Sequence, residues 1–393
     1  MSFDFVTHLD RFGHDSIAAE VIPFEDASVR EGVERIPMWV ADMAFATAPA
    51  VTEAIKKRLQ HGAFGYFMPS NEYFDSIIDW QSRRNGVELT CEEICYDNSV
   101  LGGVMSTLGA VCERGGKVLV HSPTYIGFTK AIENGGYALV RSPLVPDCDG
   151  VMRMDLCDME NKLRSEGIRA AILCSPHNPT GRVWERRELM EAMALFEKYN
   201  VTVISDEIWS DLILNGHTHV PTHTVSDYAK SHTVSLYAIT KTFNLAGLVG
   251  SYRIIRDKTL REAVEKQASL SHYDQMNVLS MHALVGAYSS EGEQWLTELR
   301  SVLTENARLA VDFLRKMGIS VSDPQGTYML FLDCTEWCEK HGRTIDELQR
   351  AGVYEGVIWQ DGRPFFGDCH IRMNLALPTS ELKEALGRLE VVL

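Results

Sequence analysis

No stretch of this sequence reaches the roughly 18 consecutive apolar residues that a membrane-spanning helix needs. Its opening residues, Met1-Ser2-Phe3-Asp4-Phe5, lack the basic-then-apolar pattern of a secretory signal. Basic residues are scarce: 38 lysines and arginines stand against 54 aspartates and glutamates, a formal net charge of −16. So acidic a chain repels nucleic-acid backbones and anionic membrane surfaces, so neither is expected as a partner; a local basic pocket for a small anion is still allowed. There is no GxGxxG string and no P-loop, hence no support for a dinucleotide or ATP site. Repeats, low-complexity tracts and long charge blocks are absent too, and with them any obvious flexible linker.

The nine cysteines are odd in number and scattered, and read as reduced thiols of a cytoplasmic protein. Cys91 with Cys95, and Cys334 with Cys338, have C-x3-C spacing rather than the tight spacing of a zinc ribbon, so no metal site is expected. His217, His219 and His223 fall in a polar, loop-like stretch and are expected to face solvent.

What is present is 393 residues, 45% of them hydrophobic and 23% charged, enough for a large domain and a smaller one. The middle of the chain alternates short apolar runs with amphipathic stretches, which predicts strand–helix–strand units and a mainly parallel sheet. Strands are expected at Lys117–His121, Ala170–Cys174, Val201–Ser205 and Thr233–Tyr237. A helix is expected at Arg186–Tyr199, where Leu189, Met193 and Phe196 recur at helical spacing. The last hundred or so residues place long helical patterns around strands at Tyr328–Asp333 and His370–Asn374, which suggests a second, α+β domain. The expected division is an N-terminal segment (1–48) packing with the small domain, a large domain (49–285) and a small C-terminal domain (286–393).

Each expected central strand ends in polar or turn-forming residues, and in open α/β sheets ligands bind beyond the carboxyl ends of the strands. Lys241 follows the apolar run Val234–Ala238. Desolvation there lowers a lysine's pKa and suits it to form an imine and then act as a base, although a lysine snorkelling from a strand end would read the same way. Asp206 ends another run; it could hold a protonated pyridine nitrogen, or cap a helix or form an ion pair. Ser175-Pro176-His177-Asn178-Pro179-Thr180-Gly181 is a rigid turn that places Asn178 to hydrogen-bond a phenolate oxygen. Gly102 and Gly103 open an apolar helix pattern, where free N–H groups and the helix dipole favour an anion. Tyr125, just past Ser122-Pro123, could stack on a flat aromatic ligand or belong to the core.

Taken together, in this order and at about these separations, these residues resemble the fold-type I pyridoxal-phosphate (PLP) enzymes of the aspartate aminotransferase superfamily. The likeness runs over nearly the whole chain. It implies a mainly parallel α/β large domain, with Lys241 as Schiff-base lysine and catalytic base and Asp206 on the pyridine nitrogen. It further implies Asn178 on the ring O3′, Tyr125 stacked on the ring, Gly102 and Gly103 on the phosphate, and Arg372 gripping the substrate α-carboxylate as a fork. Three strings point to the MalY/PatB-type cystathionine β-lyase branch: Pro37-Met38-Trp39-Val40-Ala41-Asp42-Met43, His177-Asn178-Pro179-Thr180-Gly181-Arg182-Val183-Trp184, and Phe64-Gly65-Tyr66. This branch would set Trp39 and Val40 beside the substrate and send Tyr66 to the phosphate of a neighbouring subunit's cofactor, making the working unit at least a dimer.

The sequence departs from that pattern at Ala44 and Ala238, where the branch usually has an aspartate and a serine, and at Trp209, where histidine or tyrosine is usual. The lost serine leaves Thr240 or Thr242 to supply a hydroxyl at the phosphate, and an indole at 209 can donate a hydrogen bond but accept none. The resemblance implies a carbon–sulfur β-lyase that splits cystathionine or related cysteine S-conjugates into pyruvate, ammonia and a thiol. An aminotransferase on the same scaffold is the alternative, and a PLP-binding regulatory protein a remoter one.

Overall fold

The computed structural model describes residues 2–148 and 150–393. At its centre is an eight-stranded sheet in the order β1-β8-β7-β6-β5-β2-β3-β4. Here β1 is Ile94–Asp97, β2 Lys117–Ser122, β3 Ala138–Pro146, β4 Met152–Met154, β5 Ala170–Cys174, β6 Thr202–Asp206, β7 Thr233–Tyr237 and β8 Ser251–Ile254. Strands β3, β2, β5, β6 and β7 run parallel. β8 is antiparallel to both of its neighbours, and β4 is antiparallel to β3.

Every residue of β5 and β7 is buried, as expected of parallel strands covered by helices on both faces. Alternate residues go to opposite faces. Leu119, Ala171, Leu173 and Val203 join Leu189, Met193 and Phe196 of the helix Arg186–Tyr199 in one core. Val118, Val120, Ile172, Ile204 and Val234 join Val104 and Leu108 of the helix Val100–Val111 in the other. The strand-and-helix alternation read from the sequence is thus a sheet with two helical layers, its ligand-accepting edge formed by the ends of β5, β6 and β7.

Beyond the large sheet, the helix Ser290–Lys316 leads into a small antiparallel sheet, order β9-β11-β10, made of Met329–Asp333 (β9), Gln360–Asp361 (β10) and His370–Asn374 (β11). The N-terminal strand Ile36–Pro37 pairs in parallel with Val357–Ile358, so the start of the chain is hydrogen-bonded to its C-terminal part. Residue 285, the expected boundary, lies inside the helix Val278–Ala287. Among the described residues no helix is long and apolar enough to cross a membrane, and all nine cysteines are free thiols.

Candidate active site

Strand register sets Cys174 of β5 beside Asp206 of β6. At this edge lies a cavity of about 260 Å³, lined by Tyr125, Asn178, Asp206, Trp209, Thr240 and Lys241. Ser99, Val100 and Leu101, from the start of a helix, also line it, as does Ala41 from the N-terminal segment. A small apolar pocket with a few convergent polar groups is the usual form of a cofactor site. A larger groove of about 650 Å³ elsewhere is lined by Arg182, Arg308 and Arg315, but each of these is already paired with a carboxylate.

Asp206 is the last residue of β6 and is buried. Its Oδ1 accepts from the Ile208 N–H at 3.1 Å. Burial pushes its carboxyl up to about 7; the Ile208 bond and Lys241 pull against the rise, while the charge of Glu207 adds to it. Lys241 sits in the single helical turn Ile239–Thr242 that follows β7, and its Nζ donates to Ala41 O at 2.8 Å. Burial, helped by the Arg372 charge and opposed by Asp42 and Asp206, brings its pKa down to about 8. Both shifts are of the kind found in functional clefts.

Arg372, on β11, is buried and bonded to Asn178, which lines the cavity. One of its terminal nitrogens donates to Asn178 Oδ1 at 3.2 Å, and the other to Trp39 O at 2.9 Å and to Gln360 Oε1. The guanidinium carbon lies 4.5 Å from the centre of the Phe365 ring. Nε is buried without a hydrogen-bond partner among the described residues. Burial lowers the guanidinium to about 10, which leaves it cationic at neutral pH. Asn178 comes from the expected turn, which carries cis peptides at Ser175–Pro176 and Asn178–Pro179. Tyr125 is held edge-on to Phe128 at 5.3 Å, and Trp209 edge-on to Tyr328 at 4.8 Å; both aromatics therefore enter the cleft in fixed orientations.

The sequence profile of the family described as aminotransferase class I and II matches residues 36–389. The chain belongs to the aminotransferase class I and II family. Cystathionine beta-lyase PatB of Bacillus subtilis (strain 168) is 34% identical over 365 residues, covering 92% of this chain and 93% of that protein. Protein MalY of Escherichia coli (strain K12) is 30% identical over 367 residues, covering 90% of each. The solved structure of the PLP-bound C-S lyase from Staphylococcus hominis superposes with a TM-score of 0.89 at 29% identity, covering 99% of this chain and 98% of that one.

The cleft of this family member fits pyridoxal phosphate. It presents a primary amine, a buried carboxyl without a cationic hydrogen-bonding partner among the described residues, and the first turn of a helix, which are the needs of an aldehyde, a ring nitrogen and a phosphate respectively.

Gly102 and Gly103, which the resemblance put on the phosphate, do not line the cavity. The Gly102 N–H donates to Ser99 Oγ and the Gly103 N–H to Ser99 O, both at 3.0 Å. A Cβ at Gly103 would come within 2.7 Å of Leu236, and one at Gly102 within 2.3 Å of Asn98 Oδ1. Gly103 lets the helix approach the sheet and Gly102 leaves room for the Asn98 side chain; Ser99, Val100 and Leu101 are the ones that line the cavity. Ser99 as N-cap directly ahead of an apolar helix was the available signal. Trp39 and Val40 meet the site through their backbones: Trp39 O accepts from Arg372, and Val40 O accepts from Asn374 Nδ2 at 2.6 Å. The Trp39 indole points elsewhere, donating to Ala18 O at 3.1 Å. Tyr66 is fully exposed and does not line the cleft of its own chain. The solvent-facing reading of the histidine loop is also corrected for two of its members. His219 and His223 are buried, with His219 Nε2 2.7 Å from Glu207 Oε2 and His223 Nδ1 3.1 Å from Ser235 Oγ. Only His217 is exposed.

Buried histidines around the site set an acid limit on stability. Burial depresses His121 and His223 to about 4 and His177 to about 3, against 6.5 in an unfolded chain. A depressed group contributes stability that is present above 6.5 and lost as pH falls toward its folded value, because only the unfolded chain takes up the proton. Asp206, raised to about 7, works in the opposite direction over part of that window. His121 isolates the effect, since neither of its ring nitrogens has a partner among the described residues. Changing His121 to Leu should therefore shrink the stability lost between pH 7 and pH 5 by about 1–2 kcal/mol, measured from urea midpoints. An unchanged pH dependence would show that His121 titrates normally in the folded protein.

Proposed function

We propose that the protein is a PLP-dependent carbon–sulfur β-lyase that acts on cystathionine or related cysteine S-conjugates and releases pyruvate, ammonia and a thiol. The observation that carries this reading is the convergence of Lys241, Asp206 and Asn178 on one cleft, with Arg372 bonded to Asn178, in a chain with relatives named cystathionine beta-lyase and C-S lyase. Bound there, pyridoxal phosphate supplies an aldehyde that condenses with an amine and a ring that takes up the electrons freed when the α-proton leaves.

The chain's own residues do the rest. Lys241, with a pKa near 8, is neutral often enough to accept the α-proton. Asp206 faces the ring nitrogen from the end of β6 and keeps positive charge there. Arg372, already tied to Asn178, turns its fork to the substrate carboxylate and so aligns the α-carbon with Lys241. Thr240, with the helix start at Ser99, Val100 and Leu101, holds the phosphate; Tyr125 covers the ring. Trp209 contributes an aromatic wall and an N–H that does not titrate. The exposed apolar run Phe64, Tyr66, Phe67 and Met68 supports a working unit of at least two copies, with Tyr66 entering the neighbouring subunit's site.

Pyruvate and free-thiol release from L-cystathionine by PLP-loaded protein, with no keto acid added, tests the reading. Sustained release of both products is expected. Activity only with a keto acid and an amino donor would make the protein an aminotransferase, because transamination must regenerate the cofactor and elimination need not.

A further inference from the structure

The two cations of the site rest on one short piece of backbone. Trp39 O accepts from Arg372, and Ala41 O accepts from the Lys241 amine at 2.8 Å. The carbonyls next to Ala41 on either side go to a single side chain. Asn374 Nδ2 donates to Val40 O and to Asp42 O, both at 2.6 Å. Asn374 is the last residue of β11, two beyond Arg372, and is buried. Its Oδ1 accepts from the Ala376 N–H at 2.7 Å, which turns the amide nitrogen toward the segment. Further along, Asn244 Oδ1 accepts from the Met43 N–H at 3.0 Å, and its Nδ2 donates to Met43 O and Phe45 O.

A side-chain amide nitrogen carries two hydrogens, and here both are taken up by carbonyls. They fix the peptide planes on either side of the plane that carries the Ala41 carbonyl. Asn306 shows the same bonding in a structural setting. It is buried, and its Nδ2 donates to Leu375 O at 3.0 Å and Leu377 O at 2.8 Å. The carbonyl between those two, Ala376 O, receives the Ala44 N–H. The carbonyl between the two that Asn374 holds receives the Lys241 amine instead.

We propose that Asn374 is a positioning residue for Lys241, aiming the Ala41 carbonyl at the amine so that Lys241 is seated when it acts as the base. This rests on the proposed function, in which Lys241 takes the α-proton. A lysine amine ends a flexible four-carbon stem, and one N–H committed to Ala41 O keeps its lone pair turned away from that carbonyl in a fixed direction. The charged groups facing the amine are Asp206 from β6, Arg372 from β11 and Asp42 from the N-terminal segment, the last paired with Arg11 at 2.9 Å.

The test follows the Lys241 amine itself. In the full chain stripped of cofactor, capture of added pyridoxal phosphate needs the neutral amine, so its rate, read by absorbance, rises with pH through the amine's pKa. A carbonyl acceptor favours the ammonium, and losing it makes the proton easier to remove. Asn374→Ala should therefore lower the midpoint by about one pH unit, a roughly tenfold weaker hold on that proton. Reloaded with cofactor, it should lose about tenfold in kcat for L-cystathionine, with KM changed by less than about twofold. Asn306→Ala should lower the urea midpoint of unfolding yet leave both readouts at wild type. A capture midpoint that stays or rises in Asn374→Ala, or falls as far in Asn306→Ala, overturns the proposal. So does a rise in KM that matches the fall in kcat, which would put the damage at Arg372. If Asn374→Ala does not fold, Ala41→Gly decides alone, because it keeps Asn374 but frees the backbone that carries the carbonyl. A smaller downward shift then supports the proposal, and no shift overturns it. A wild type that captures no cofactor overturns the proposed function and this inference together. One that captures it but does not split L-cystathionine overturns the lyase reading, and the capture midpoint still decides this inference.

Discussion

Replacing Lys241 with alanine should abolish turnover and the visible absorbance of bound cofactor while leaving the fold intact. The folded protein loses little. The Lys241 amine makes one hydrogen bond, to Ala41 O at 2.8 Å, and its depressed pKa shows that the surroundings disfavour its charge. Removing it should therefore change stability by no more than about 1 kcal/mol, as for one partly exposed hydrogen bond. The chemistry loses both the covalent anchor and the proton acceptor, and a positioned base alone is worth about 10²–10⁴ in rate. A fall in turnover of at least about 10³-fold, or about 4 kcal/mol of barrier, is expected. Added PLP should bind reversibly, retain the spectrum of the free aldehyde and wash out on dialysis. A variant that keeps a covalently attached, visibly absorbing cofactor would mean that a lysine other than Lys241 holds it.

How far the sequence discloses this site depends on which atoms do the work. Asp206 and Lys241 are legible because each interrupts the end of a continuous apolar run, and a charged side chain there calls for a reason. Arg372 is legible only through the family resemblance, and its grip on Trp39 O is not legible at all. The helix start at the cavity is only half legible. Glycine draws attention at Gly102 and Gly103, but Ser99, Val100 and Leu101 line the cavity, and the last two carry no side-chain signature. Ala41 is silent for the same reason, since it offers a carbonyl. The histidine loop misleads in the opposite direction. His219, Thr222 and His223 have the composition of a solvated turn, yet the turn folds over a carboxylate that attracts polar side chains inward. In a sequence, polarity around a buried charge cannot be told from polarity facing water. The parallel sheet is easier, because strands buried on both faces are mostly apolar: β5 is apolar throughout, and β7 is apart from Thr233 and Ser235.

Arg372→Lys should cut kcat/KM for L-cystathionine by about 10²-fold or more, although the charge is conserved. The argument is geometric. The guanidinium is flat and carries its donors in a fixed fork, so it can hold Asn178 Oδ1 with one nitrogen and, on releasing Gln360 Oε1 from the other, present parallel N–H groups to a carboxylate. An ammonium has one nitrogen, at a different depth, and cannot hold Asn178 Oδ1 and Trp39 O while gripping two carboxylate oxygens in parallel. The loss of one bidentate, charge-assisted contact in a dry site is about 3 kcal/mol, which is roughly a hundredfold. It should divide between KM and kcat, because the same contact binds the substrate and aligns its α-carbon with Lys241. The cofactor's absorbance should be unchanged, which separates this variant from one that has lost the cofactor. A substrate analogue sharpens the test: converting the α-carboxylate to a carboxamide should penalise the wild type heavily and the lysine variant far less. Equal penalties in both proteins would mean that Arg372 braces the wall through Asn178 and Gln360, and that another residue receives the substrate.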